Sequence, residues 1–245
     1  ALDIGTACAN TEGIVSFNDG MYIPQGSVGY TILTESAPGT PVQTNITGAA
    51  TPAYAGTPVS NPRAWAFAVW NDVLYAITTS AEGYTLASSL TGANNAWTWA
   101  NDTARGRYVK IESSFTPKTM AVFPNEQNQQ SLWCAGRRGL KVYDDTAMRW
   151  ADTALTEVPP HPDFGRCMKV FRPGEALHIA GGGGDVIQYT VGGNVVPASG
   201  PGGNRDGMPA GKRGSAVSFA TDLAHLYGLF QGDTAEGASA SMTED

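Results

Sequence analysis

One short apolar pattern that closes on an aromatic residue recurs along the chain at nearly constant spacing. The closing residues are 53, 53, 48 and 48 positions apart: Phe17, Trp70, Phe123, Phe171 and Phe219. Self-similarity with a period of about 50 residues is typical of proteins built from repeated small sheets. Such a sheet cannot cover both of its own faces, so each unit must pack against the next one. This repeat constrains the fold more than any other feature of the sequence.

The stretch from Lys118 to Trp150 shows what one unit contains. Polar turns separate its short strands, which are Met120–Phe123, Leu132–Ala135, Leu140–Tyr143 and Arg149–Trp150. Consecutive antiparallel strands need only hairpin loops between them. The pattern therefore predicts a four-stranded antiparallel meander.

The other units keep two further marks of this pattern. Their second strands open on an apolar residue and a ring: Met21-Tyr22, Leu74-Tyr75, Leu132-Trp133, Leu177-His178 and Leu226-Tyr227. A glycine precedes the third strand in the first four units, at Gly29, Gly83, Gly139 and Gly184. We therefore predict an all-β fold, a β-propeller of about five four-stranded blades in a single domain, residues 1–245. The predicted blade cores lie near residues 14–33, 66–100, 119–150, 167–191 and 215–230.

The two ends of the chain do not determine whether the propeller closes into a ring. The repeat fades after Phe230, and the tail from Thr234 is small and polar. An apolar stretch, Leu2 to Cys8, precedes the first unit and could supply the missing outer strand to the last blade, which would remove open sheet edges. The alternative is an excerpt of a larger propeller. The start at Ala1, without Met or signal peptide, predicts a processed product or a piece of something longer.

Three stretches between the units are rich in Pro, Gly, Thr and Asn. They are Ala37–Asn61, Ala151–Phe164 and Asn194–Arg213. This composition predicts long surface connections, and binding function usually resides in such segments.

Two units carry a family resemblance. Leu132-Trp133-Cys134-Ala135-Gly136 is followed by Tyr143 and, seven positions later, Trp150, and this arrangement resembles a Kelch repeat. Ala176–Gly182 with Tyr189 resembles it too, although no Trp follows. The other units depart further, since Ile77-Thr78-Thr79 stands where a glycine pair would be. The resemblance implies a Kelch-like propeller and leaves the activity open, because propellers include enzymes, lectins and assembly proteins.

The net charge and the apolar content argue against two classes of partner, and the cysteine content bears on disulfide bonds and zinc. A net charge of −7 predicts no binding to nucleic acid, and no apolar run approaches the length needed for membrane insertion. Cys8, Cys134 and Cys167 cannot all pair internally, and their apolar neighbours favour buried free thiols over one disulfide plus a thiol. The absence of a CxxC motif predicts no zinc.

The histidines do not form a recognisable catalytic set in the sequence. His178 and His225 lie in or beside predicted second strands, which favours structural roles, and His161 falls in a predicted exposed loop. No G-x-S-x-G nucleophile motif accompanies them. Some Kelch propellers are copper oxidases with Tyr and His ligands, but no matching motif occurs here. We predict no catalytic residues and no cofactor.

Glycine-rich and acidic segments have simpler explanations than ligand binding. A strand follows Gly181–Gly184, so these glycines predict a hairpin rather than a phosphate cradle. Gly211–Gly214 predicts a solvated turn, because neither Ser nor Thr follows its lysine. Asp144-Asp145, Asp152 and the loop Asn204–Gly207 could offer oxygen ligands to calcium. Turn formation by Asx residues explains them more simply, and no metal is predicted.

The best aromatic candidates for ligand binding are Trp97 and Trp99. They alternate with small residues, which places both on one face of a predicted strand. Exposed, they would stack on sugar rings; buried, they would fill the gap between blades. Burial is favoured, because Trp150 occupies the corresponding place in its own unit.

These observations favour a binding or building role over catalysis. We predict a non-enzymatic structural or attachment component of an extracellular or virion surface assembly, such as a phage tail or fibre, that contacts other protein subunits. One alternative is a multivalent lectin that binds surface glycans, with avidity from repeated sites. The other is an enzyme with its site at the propeller channel.

Overall fold

The computed structural model describes strands and turns in every unit of the repeat. The described residues are 13–49, 61–80, 83–99, 101–102, 107–108, 110–147, 149–153, 155, 164–171, 176–182, 185–190, 195–197, 213–221, 226–232 and 239–243. These ranges contain no α-helix. Accordingly, none of them holds a helix long and apolar enough to cross a membrane.

The strands form successive antiparallel sheets, and in all of them except the second each strand pairs with its neighbours in the chain. The first sheet is β1 (Val15–Phe17), β2 (Gly20–Pro24), β3 (Gly29–Ala37) and β4 (Thr40–Thr47). The second contains β5 (Ala64–Trp70), β6 (Val73–Ser80), β7 (Gly83–Ser89), β8 (Thr98–Trp99) and β11 (Lys110–Glu112), while β9 (Asn101–Asp102) and β10 (Arg107–Tyr108) form a separate hairpin. The third is β12 (Pro117–Pro124), β13 (Gln130–Gly136), β14 (Gly139–Asp144) and β15 (Arg149–Asp152). The fourth is β16 (Met168–Phe171), β17 (Ala176–Gly182), β18 (Asp185–Thr190) and β19 (Val195–Pro197). The last is β20 (Arg213–Thr221), β21 (Leu226–Gly232) and β22 (Ser239–Thr243).

The chain divides into two compact units. Unit 1 comprises Ala1–Met120 with Asp144–Trp150, and unit 2 comprises Ala121–Tyr143 with Ala151–Asp245. The first two sheets belong to unit 1, whereas the fourth and last sheets belong to unit 2.

The first hairpins of the first two sheets use the same turn chemistry. Asn18-Asp19 follows Phe17, and Asn71-Asp72 follows Trp70, with φ values of 44°, 60°, 50° and 57° along the four turn residues. Two consecutive left-handed residues define the type I′ turn that matches the twist of a hairpin, and Asn and Asp tolerate this conformation best after glycine. The closing aromatic residue of the repeat therefore marks the end of a strand.

The repeated glycine at the start of the third strand has a steric cause. Gly29, Gly83 and Gly139 have φ values of +149°, +133° and +125°. At Gly83 a Cβ would lie 2.5 Å from the carbonyl oxygen of Ile111 in the next strand. Close approach of neighbouring backbone at a positive φ admits only glycine without strain.

Aromatic side chains fill the core of unit 1. One face of the first sheet carries Tyr22 and Tyr30, whose rings stack with centroids 6.3 Å apart. Tyr30 meets Phe67 of β5 edge-on at 5.8 Å and Trp97 at 5.6 Å. Edge-to-face and offset aromatic pairs at these distances add to the hydrophobic gain of burial, so this cluster joins the first sheet to the second.

In unit 2 the fourth sheet buries both of its faces. Leu177 and Ile179 join a core that also contains Trp133 of the third sheet, whereas Phe171 and Ala180 join a second core with Phe219 of the last sheet. Sheets packed face to face in chain order are the building principle of a propeller. The predicted all-β propeller of about five blades is confirmed.

Several predicted boundaries were wrong, because the outer strands lack an apolar signal. The predicted connection Ala37–Asn61 contains β4, whose residues are mostly exposed and polar. The connection Asn194–Arg213 contains β19, Ala151–Phe164 begins with the end of β15, and the polar tail contains β22. A half-buried strand shows alternation, but a strand exposed on both faces does not. The proposed closing strand, Leu2 to Cys8, lies outside the described residues.

Candidate interaction surface

The loop from Leu90 to Ala96, between β7 and β8, is held by side chains from the first sheet. The Tyr22 hydroxyl donates a hydrogen bond to the Thr91 carbonyl oxygen, and the Tyr30 hydroxyl donates to that of Gly92, both at 3.3 Å. Asn18 donates its side-chain amide to the Leu90 carbonyl oxygen, also at 3.3 Å. Three successive loop carbonyls thus have partners more than 60 residues away in sequence.

Two more polar side chains fix the same loop from its base. The Ser89 hydroxyl oxygen accepts the backbone N–H of Gly92 at 2.8 Å and donates to the Ala96 carbonyl at 2.6 Å. Asn61 accepts the backbone N–H of Asn95 at 2.7 Å. Because nearly every residue of the loop is anchored, its conformation is set before any partner binds.

The ring of Tyr22 packs directly against Gly92 in the loop. Gly92 has a φ of +69°, and the ring of Tyr22 occupies the space where a Cβ would lie. Burial raises the pKa of Tyr22, and it raises that of Tyr30 to about 12. Both hydroxyls therefore stay protonated at neutral pH and keep their role as donors.

The loop begins with an apolar side chain that faces solvent. Leu90 is 73% exposed, more than any other large hydrophobic residue among those described. Val28 and Met21 of the same unit are 52% and 46% exposed. An exposed apolar side chain on a fixed loop can enter a partner's pocket at little entropic cost. We define the loop Leu90–Ala96 with its exposed leucine as the Leu90 loop.

The tryptophans that the sequence singled out are buried, as predicted. Trp97 and Trp99 are 5% and 4% exposed, and both join the core of unit 1. The indole N–H of Trp97 donates to the Tyr30 hydroxyl at 2.9 Å. Only Trp99 lies in a strand, because β8 begins at Thr98. Neither ring is available to stack on a sugar.

His178 is a core residue, which agrees with its predicted structural role. It is 6% exposed, and its ring meets that of Phe171 edge-on at 5.9 Å. Its Nδ1 has no hydrogen-bond partner within the described part of the chain. Burial lowers the pKa of His178 to about 4, so the ring is neutral at pH 7. His161 and His225 lie outside the described residues.

Two of the three cysteines are buried free thiols, as predicted. Cys134 and Cys167 are both fully buried and unpaired by disulfide. Burial raises the pKa of the Cys134 thiol, and the nearby Lys141 ammonium opposes this shift only in part. A thiol of this kind is a weak nucleophile. Cys8 lies outside the described residues.

The acidic and glycine-rich segments form turns and an ion pair. Asp144 accepts the backbone N–H of Ala147 at 2.9 Å and so stabilises a turn, as predicted. Asp152 pairs with the buried Lys141 at 2.5 Å. Gly182 pairs with Asp185 across an antiparallel hairpin, as predicted for Gly181–Gly184. Within the described ranges no three His, Cys, Asp or Glu residues cluster as a metal site. Asn204–Gly207 and the first half of Gly211–Gly214 lie outside those ranges.

Sequence patterns did not predict the Leu90 loop. Most of its anchors are hydroxyl and amide groups that are distant in the sequence, and such contacts leave no local pattern. Gly92 and the Asn94-Asn95 pair indicate a turn, but they do not indicate that the turn is fixed or that Leu90 faces solvent.

Comparison with known proteins gives structural neighbours only. No family model matches the chain, and no curated protein matches it. YCF48 bound to D1 peptide has a TM-score of 0.52 at 14% identity, covering 94% of this chain and 63% of that one. A Lactobacillus plantarum protein has a TM-score of 0.56 at 12% identity, covering 91% and 63%. A thermostable family-43 glycoside hydrolase has a TM-score of 0.51 at 7% identity, covering 95% and 87%.

The chain spans less than two thirds of the length of the first two neighbours. At these identities the likeness concerns the fold alone, and it does not single out a Kelch-like type. The fold that these neighbours share with this chain is of the β-propeller type.

Proposed function

We propose that this chain is a non-enzymatic contact component of an extracellular or virion surface assembly, and that it binds another protein subunit through the Leu90 loop. The observation that carries the proposal is the 73% exposure of Leu90 on a loop whose backbone is anchored on both sides. The sparse charge of the chain, 15% of residues, suits a surface that packs against neighbours.

The energetic case rests on preorganisation. Burying a leucine side chain at an interface contributes about 1.5–3 kcal/mol, which corresponds to about a tenfold to hundredfold change in Kd. A mobile loop would lose much of this gain on ordering. The anchors from Tyr22, Tyr30 and Asn61 remove most of that cost in the free protein.

Fold neighbours lend limited support by analogy. YCF48 was determined with a peptide bound, so a propeller of this general fold accommodates a polypeptide ligand. The glycoside hydrolase shares the fold as well. The fold alone therefore does not choose between peptide binding and catalysis. The lectin alternative lost its best aromatic candidates when Trp97 and Trp99 proved to be buried.

We also propose that the repeats are of Kelch-like type. Tyr143 and Trp150 of the third sheet are both buried, and they lie in its third and fourth strands. This is the spacing on which the resemblance depends. A profile built from this chain's relatives would test it, since a Kelch-like family must keep Tyr and Trp at these positions in several blades.

Site-specific photo-crosslinking tests the proposed contact. A photoreactive phenylalanine analogue would replace Leu90 in the protein produced by its source organism. The matched control carries it at Arg137, which is exposed in the β13–β14 turn. We expect a discrete protein adduct from position 90 and none from position 137. A saturable glycan-array signal with no adduct at position 90 would favour the lectin instead.

A further inference from the structure

In each of the first four sheets the closing aromatic residue packs against a ring of the following strand. The ring centroids are 5.9 to 6.0 Å apart in the four pairs, which are Phe17–Tyr22, Trp70–Tyr75, Phe123–Trp133 and Phe171–His178. In three of these pairs the rings meet edge-on at 65° to 68°, and both members are buried. The pair of the second sheet differs in both respects.

Trp70 and Tyr75 are half-buried, and their ring planes are inclined to each other by only 39°. Across the β5–β6 hairpin Trp70 pairs with Val73, and Ala68 pairs with Tyr75, so the two rings are diagonal neighbours on one face of the sheet. An edge-on pair covers the face of one ring with the edge of the other. The smaller angle leaves a face of both rings available to a ligand. We define Trp70 and Tyr75 as the Trp70 pair.

Acidic side chains flank the Trp70 pair. Asp72 is exposed in the turn that joins the two strands of the pair. Asp145 is exposed in the turn between β14 and β15, which belongs to the same compact unit as the pair. Burial raises the pKa of Tyr75, and the negative charge of Asp145 raises it further, so this carboxylate lies near the Tyr75 hydroxyl.

The charge around the Trp70 pair selects the ligand. Aromatic ring faces attract a cation that lies within about 6 Å of the ring centroid. Segments 70–75 and 143–147 hold three aspartates and neither lysine nor arginine, and Arg149, the next cation in the sequence, is exposed in β15. A lysine ammonium is compact and strongly hydrated, whereas a quaternary ammonium spreads its charge over alkyl groups that can leave water and contact the rings. A quaternary ammonium group therefore fits this surface better than a sugar or an unmodified lysine does.

We propose that Trp70, Tyr75 and Asp145 form a binding site for a quaternary ammonium group, carried by a small molecule or by a trimethylated lysine side chain. The two rings contact the methyl groups through their faces, and the carboxylate supplies negative charge beside them. The site is independent of the Leu90 loop, so a failure of either proposal leaves the other standing.

Isothermal titration calorimetry of the full chain with choline tests this site. The matched control ligand is the uncharged isostere of choline, in which a carbon atom replaces the nitrogen. We expect choline to bind saturably and the isostere to bind about tenfold more weakly, because the isostere keeps the methyl groups and lacks the charge. A short peptide with trimethyllysine, compared with the same peptide with lysine, distinguishes a modified side chain from a small molecule as the source of the ammonium group. Equal affinity for choline and its isostere would overturn the proposal, as would the absence of saturable binding of both choline and the trimethyllysine peptide.

Substitutions at the site separate the contribution of the rings from that of the charge. Tyr75→Leu keeps an apolar side chain but removes a ring face, and it should weaken choline binding about tenfold. Asp145→Asn keeps the shape of the side chain, and it should weaken binding and reduce its dependence on salt. Asp19→Asn is the matched control, because it removes the same charge from a turn whose adjoining ring pair, Phe17–Tyr22, is buried, and it should leave binding unchanged. Circular dichroism would verify that each variant folds. Choline affinity that neither Tyr75→Leu nor Asp145→Asn lowers would refute the site.

Discussion

Replacing Tyr30 with phenylalanine removes one oxygen atom and tests how the Leu90 loop is held. The ring keeps its packing against Phe67 and Trp97, but two hydrogen bonds disappear. The Trp97 indole N–H loses its 2.9 Å acceptor, and the Gly92 carbonyl loses a donor. Both groups are left buried.

The size of the effect follows from the cost of unsatisfied buried groups. Leaving one buried polar group without its partner costs about 1–3 kcal/mol. We expect Tyr30→Phe to lower the free energy of unfolding by about 2–3 kcal/mol. Tyr22→Phe is the matched control, because it deletes one bond, to the partly buried Thr91 carbonyl. It should cost about 1 kcal/mol.

Urea unfolding followed by tryptophan fluorescence and circular dichroism would measure both variants. The urea midpoint should fall at unchanged m-value, since the change in exposed surface is the same. Amide exchange at Gly92 should accelerate in Tyr30→Phe, because the loop opens more easily. If Tyr30→Phe were no more destabilising than Tyr22→Phe, the hydroxyl network would not be what fixes the loop.

Three further predictions concern buried groups. Burial lowers the pKa of His178 to about 4 in the folded chain, so between pH 6.5 and 4 only the unfolded chain binds a proton there. The free energy of unfolding should therefore fall by about 3 kcal/mol as pH decreases through this window. His178→Gln should flatten that part of the pH profile, and an unchanged profile would contradict the burial of His178. Gly83→Ala should lower the free energy of unfolding by more than 2 kcal/mol, because its Cβ would meet the Ile111 carbonyl. Gly39→Ala, the control with open space around it, should lower it by about 1 kcal/mol. Equal urea midpoints of the two variants would rule out the steric cause. Cys134 and Cys167 should resist a thiol reagent in the native protein and react after unfolding, as peptide mapping would show, and rapid native labelling of either would be inconsistent with full burial.

The sequence predicted the parts of the fold that repeat and are buried. Three features recur because each has the same local role in its sheet: the closing aromatic residues, the apolar second strands and the glycine represented by Gly83. Asn18-Asp19 and Asn71-Asp72 also mark the first hairpins, since Asn and Asp tolerate the left-handed conformation that a type I′ turn requires.

The sequence could not predict the features that depend on distant partners or on exposure. β4 falls within a predicted connection because its Thr, Asn and Pro residues show no alternation, and its pairing with β3 makes it a strand. The second sheet is completed by β11, on the far side of an inserted hairpin, where the sequence placed a single strand near Trp99. The hydrogen bonds from the first sheet to the Leu90 loop join residues 62 to 72 positions apart.

The most direct test of the proposed function is retention in the native assembly. The particle or surface fraction of the source organism would be isolated with wild-type protein, with Leu90→Asp and with Arg137→Ala, and the bound fraction of each would be measured after sedimentation. We predict that Leu90→Asp folds but is released, with affinity reduced at least tenfold, while Arg137→Ala is retained. Equal retention of the wild-type and Leu90→Asp proteins would contradict a contact through this loop.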